Sequence, residues 1–125
     1  MDMARKTMET LTESMFYVLM ALKQEPMCGI DIAATVEKIT DHRVVLGPAT
    51  LYTVLARFEK EGYIREIAVS GRKRTYEITP VGLHGYEEEI RRLQCCLKDA
   101  MCWKGVVNDG SQDPYILCAL SGAGY

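Results

Sequence analysis

Histidine is scarce in this chain: His42 and His84 are the only two among 125 residues, and there is a single tryptophan. So few imidazoles leave little from which to build a nucleophile–base pair. A glycine-rich phosphate loop and a nucleophile elbow are both missing. The chain therefore does not read as an enzyme; no catalytic residue is assigned and no cofactor is expected. No apolar run reaches the roughly 18 residues needed to span a bilayer, so no membrane partner is expected. The first residues include acids and open no apolar stretch of the kind that heads a secretory leader. The five cysteines, Cys28, Cys95, Cys96, Cys102 and Cys118, are odd in number and contain no CxxC pair. They fit neither a disulfide framework nor a zinc spacing, so no metal site is expected. Reduced thiols in a cytoplasmic protein are the simplest reading. Cys95, Cys96 and Cys102 lie near Arg91, Arg92 and Lys98, which would suit an oxidant sensor, but small core thiols are commoner.

A strong charge of one sign is also missing. Fifteen Lys and Arg stand against seventeen Asp and Glu, for a net charge of −2. A uniformly basic nucleic-acid binder is excluded, and any affinity for phosphate must come from a local patch. Arg72-Lys73-Arg74 is the only run of three cations. The length suits one domain with a small core.

Helical patterns dominate what is present. Thr10 and Glu13 fit a capping box opening a helix from about Leu11 to Lys23, with Met15, Phe16, Val18, Leu19 and Leu22 inward. Pro26 ends that helix or follows its end. A second helix is expected over 29–39, with Ile32, Val36 and Ile39 on one face. The third has the clearest bounds. Gly47 suits the N-cap, Pro48 the first helical position and Gly62 the left-handed stop, while Leu51, Val54, Leu55 and Phe58 form the inward stripe. Two β-like runs follow around Ser70-Gly71, with Tyr76 and Ile78 alternating after the turn. Thr79-Pro80 then starts a long helix to about Trp103, whose first turns Gly82 and Gly85 weaken by up to about 1 kcal/mol each. Its stripe is Tyr86, Ile90, Leu93, Leu97, Ala100 and Met101, of which all but Ala100 are the candidate dimer residues. Residues 1–9 read as frayed or weakly helical. Asn108–Pro114 is loop chemistry, Tyr115–Leu120 a short apolar run.

Three helices, a basic hairpin and a long helix form the order of a winged helix-turn-helix, whose third helix enters the major groove. Removing the core stripe leaves Ala49, Thr50, Tyr52 and Thr53 to face bases or phosphates, with Arg57 and Lys60 further along the helix. Arg72, Lys73 and Arg74 would meet phosphate or the adjacent minor groove.

Three segments strengthen this: Leu11–Leu22; Ala49–Leu55 with Phe58–Ile64; and Gly71–Gly82. Together they resemble the PadR family of bacterial transcriptional regulators over about residues 10–100. Cys28 departs from the aromatic the family usually has before the glycine. The resemblance implies a cytoplasmic homodimeric repressor on a palindromic operator in double-stranded DNA, dimerised through the last helix. It also makes Trp103 the candidate ligand-binding residue for a small aromatic effector, against the plainer role of packing the dimer.

The expected fold is mainly α (α+β), a winged helix-turn-helix with a long C-terminal dimerisation helix. Residues 1–79 would be the DNA-binding domain, 80–104 the dimerisation helix and 105–125 a tail of unassigned role. The alternative is a winged-helix protein-interaction or small-molecule-binding module without operator binding.

Overall fold

The computed structural model describes residues 10–103. The expectations for residues 1–9, for the tail from 105 and for Cys118 lie outside them. Helix α1 is Glu13–Gln24, strand β1 Met27–Cys28, helix α2 Gly29–Ile39 and helix α3 Pro48–Glu61. Strands β2 (Ile64–Ser70) and β3 (Lys73–Ile78) form the hairpin, and helix α4 is Pro80–Cys102. The strand order is β1-β3-β2, antiparallel throughout. The fold is α+β.

Helix α1 starts two residues later than the capping-box reading placed it. Thr12 is the N-cap, and its hydroxyl accepts the Met15 N–H at 3.1 Å. Leu11 is buried ahead of the helix, which draws the lead-in onto the core, and Glu13 falls in the first turn, where the dipole favours an acid. Ile39 is a second correction. It is 42% exposed rather than inward, because α2 ends there and the chain turns away through Asp41 and His42 in the left-handed region. The Arg43 guanidinium ties that turn to α1, donating to Glu13 at 2.6 Å and to the Tyr17 hydroxyl at 2.9 Å. Glu13 raises the Arg43 pKa.

Val18, Leu19 and Leu22 of α1, Ile32 and Val36 of α2, and Leu55 and Phe58 of α3 are almost fully buried. Helix α3 ends as its glycine suggests. Gly62 has φ 79°, its N–H donates to the Glu59 carbonyl, and the Tyr63 N–H reaches the Phe58 carbonyl. That paired arrangement satisfies the last carbonyls and commonly carries an apolar contact across the turn. Here the contact is Phe58 stacked on Tyr63, with centroids 5.5 Å apart.

Strand β1 went unread in the sequence. Its two residues pair with Tyr76 and Thr75 on β3, closing one edge of the hairpin. On the other edge the β2–β3 register slips between Glu66 and Ala68, a bulge at Ile67.

Thr79 joins the end of α3 to the start of α4. Its hydroxyl donates to the Gly62 carbonyl at 2.6 Å and accepts the Gly82 N–H at 3.0 Å, while its own N–H reaches the Tyr63 carbonyl. Gly82 and Gly85 are there for close approach. A Cβ on Gly82 would lie 2.1 Å from the Tyr63 carbonyl oxygen, and one on Gly85 would lie 2.6 Å from the Tyr63 ring.

The chain divides into two compact units between Glu87 and Glu88, so the first turns of α4 belong with the winged body. In the second unit, Glu89 is buried and its carboxylate accepts from the Arg92 guanidinium, whose pKa rises in consequence. No helix among the described residues is long and apolar enough to cross a membrane.

Candidate nucleic-acid interface

Helix α3 divides its residues between core and surface at helical spacing. Leu51, Val54, Leu55 and Phe58 are buried. Ala49, Thr50, Tyr52, Thr53, Arg57 and Lys60 are all exposed, Tyr52 by 59%. The start of the helix is narrow and carries no side-chain cap, with Gly47, Pro48 and Ala49 in sequence. Small residues there leave its first N–H groups open to an approaching acceptor.

The hairpin tip brings its cations close to that helix. Gly71, with φ 64°, takes the left-handed turn position, and Arg72, Lys73 and Arg74 follow it, all exposed. They are not equivalent. Arg74 lies 3.7 Å from the Glu66 carboxylate across the hairpin, and Arg57 on α3 pairs with Glu61 at 3.3 Å. Arg72, Lys73 and Lys60 form no ion pair among the described residues, which leaves three charges to be met from outside. Tyr76, behind the tip, is buried, and burial pushes its phenol pKa up; the Glu59 carboxylate adds to this and Arg74 opposes it.

A half-open cavity of about 510 Å³ joins these elements. Arg72, Lys73 and Arg74 form its wing wall, Tyr52 comes from α3, and Tyr76 lies on β3. The remaining wall is Cys28, which ends β1 and caps α2, with Gly29, Ile30 and Asp31 at the start of α2. Cys28 is buried, and its thiol donates to the Asp31 carboxylate at 3.4 Å. The α2 contribution was missed in the sequence. One signal was available: Ile30 lies off the Ile32–Val36 stripe and is 76% exposed, an apolar residue with no place in the core.

The candidate dimer residues spread along α4. Tyr86 is buried within the chain, stacked on Phe16 with centroids 5.2 Å apart. Ile90, Leu97 and Met101 are half-buried, while Leu93 is 40% and Trp103 69% exposed. Cys95, Cys96 and Cys102 are exposed rather than core thiols. Among the described residues, no group of three or more His, Cys, Asp or Glu is placed to hold a metal ion.

Comparison with known proteins gives a consistent picture. A model of the transcriptional regulator PadR-like family matches residues 18–88, more than half of the chain. An uncharacterized 37.1 kDa protein in transposon TN4556 of Streptomyces fradiae is 38% identical over 81 residues. Those residues are 65% of this chain but 23% of that protein, so the chain spans about a quarter of the curated relative it matches. Among solved structures, a transcriptional regulator from Clostridium thermocellum superposes with a TM-score of 0.65 at 28% identity, covering 72% of this chain and 88% of the other. The PcaV transcriptional regulator from Streptomyces coelicolor shares the fold, with a TM-score of 0.62 at 21% identity, covering 75% of this chain and 65% of that one. The matched family and these neighbours are transcriptional regulators, not enzymes.

Proposed function

The chain belongs to the transcriptional regulator PadR-like family, and from that premise we propose that it is a sequence-specific DNA-binding repressor. It grips a palindromic operator as a homodimer and is released by a small molecule. The observation that carries this is the meeting of Tyr52 with Arg72, Lys73 and Arg74 around one cavity. Tyr52 of the exposed α3 surface and the wing cations line one cavity, which supports a groove reader that uses helix and wing together.

In this reading α3 enters the major groove by its start. Ala49 lets the backbone approach, Thr50 and Thr53 meet bases or phosphates, and Tyr52 donates to phosphate. Arg57, Lys60 and the wing cations hold the phosphate backbone. Residues 1–79 read DNA, and residues 80–104 join two copies through Ile90, Leu93, Leu97 and Met101, with half-sites about 34–36 Å apart. Tyr86 contributes by fixing the root of α4 rather than by meeting the partner. A small aromatic effector at the exposed Trp103 is one route to release. Cytoplasmic residence follows from the same reading.

Selection of bound duplexes from a random pool tests it directly. A palindrome with the stated half-site spacing is the expected product; a pool that never converges overturns sequence-specific binding. A reader touching six to ten phosphates loses about 10³–10⁵ in affinity between roughly 50 and 200 mM salt. Arg72→Ala should weaken binding to every duplex and flatten that dependence. If the slope is unchanged, the wing is not on the phosphates.

A further inference from the structure

Off DNA, the cavity between the wing and the start of α2 has an unusual chemistry. Two of its three cations, Arg72 and Lys73, have no carboxylate partner among the described residues, and both line it from the wing. The other walls are largely apolar: Ile30, the Tyr52 and Tyr76 side chains, and Cys28 with Gly29. About 510 Å³ is within the size range of small-molecule sites, and an apolar slot with a few convergent polar groups is their usual composition. One acid is present. Asp31 lies on the α2 wall, where its carboxylate already accepts the Cys28 thiol at 3.4 Å. It would repel an anionic head at that end and so direct such a head to the wing.

We infer that this cavity binds a small amphiphilic anion, its charged head on Arg72 and Lys73 and its apolar body between Ile30 and Tyr52, and that this ligand and DNA exclude each other. The exclusion rests on the DNA-binding reading above, because the cations that hold the ligand are those assigned to phosphate. It needs no conformational change. Two ligands that require the same side chains compete directly, so each multiplies the apparent dissociation constant of the other by one plus its free concentration over its own dissociation constant. Ile30 separates the two functions. It is 76% exposed, carries no charge, and forms a wall for an apolar body while offering nothing to a phosphate.

The test uses the full chain and the dye 8-anilinonaphthalene-1-sulfonate as the amphiphilic anion, with inorganic sulfate as a head group lacking a body. Saturable dye fluorescence is expected, and the selected duplex should abolish it. Ile30→Ser should weaken the dye by about tenfold, the loss of one buried aliphatic side chain. The same variant should keep the salt dependence of duplex binding. Arg72→Ala should weaken dye and duplex together. Sulfate at matched ionic strength should displace the dye far less well than the duplex does. Dye binding that is indifferent to both Ile30→Ser and Arg72→Ala places the dye elsewhere and overturns the site. Sulfate that competes as well as the dye overturns the amphiphilic class. Duplex binding that proceeds with the dye still bound overturns the exclusion while the DNA reading stands. Absence of any duplex binding, measured without dye, overturns the DNA reading and the exclusion with it.

Discussion

The sharpest constraints at the residue scale come from backbone approach rather than from side-chain chemistry. On propensity alone, Gly82 and Gly85 are defects in the first turns of α4. They are the places where that helix meets Tyr63, with room for neither Cβ. Gly82→Ala is expected to destabilise the chain by about 3 kcal/mol or more, because the obstacle is a carbonyl that cannot swing aside. Gly85→Ala meets a ring instead and should cost about 1–3 kcal/mol, limited by the stacking that holds Tyr63 on Phe58. Urea unfolding ranks the two. Equal midpoints for parent and Gly82→Ala would mean that the helix does not approach the Tyr63 carbonyl so closely. No single-sequence pattern reveals such a need. A glycine that weakens a helix and a glycine that lets it dock are written with the same letter.

At the level of elements, legibility followed how local the signal was. Helix α3 was bounded correctly at both ends because Pro48 and Gly62 act within one turn of their own positions. Its buried stripe was equally plain, since Leu51, Val54, Leu55 and Phe58 repeat with the helix period. The start of α1 was misplaced because two threonines competed for the cap, and the burial of Leu11 decided between them. Strand β1 was unreadable, as two residues acquire strand character only by pairing with Tyr76 and Thr75 far along the chain. The α2 wall of the cavity was missed for the same reason. Thr79 provides a test of how strongly adjacent elements are bound together. Thr12→Ala removes one capping bond and should cost about 1 kcal/mol. Thr79→Ala removes a cap and a bond to the end of α3, and should cost about 2 kcal/mol by thermal or urea unfolding. If the two variants lose the same amount, the bond to the Gly62 carbonyl contributes nothing.

For the whole molecule, the balance of charge decides what one copy can do alone. With a net charge of −2, attraction to a polyanion depends on a few cations of the wing and α3. In the proposed homodimer two copies would double that patch, joined through Ile90, Leu93, Leu97 and Met101 of α4. Leu93→Glu should therefore give monomers in analytical ultracentrifugation, with weaker operator binding; a persisting dimer would put the interface elsewhere. The fold class and the family were legible in the sequence, because the order of elements and the α3 and wing motifs are both carried by contiguous residues. The bulge at Ile67 bears on a different property, colloidal behaviour. Strand β2 is the outer edge of the sheet, and Ile67 and Val69 are 46% and 57% exposed on it. A regular edge with such residues would template the growth of fibrils. The slipped register between Glu66 and Ala68 spoils that template. Deleting Ile67 removes the slip, and the resulting chain should nucleate thioflavin-T-positive fibres at concentrations where the parent stays clear.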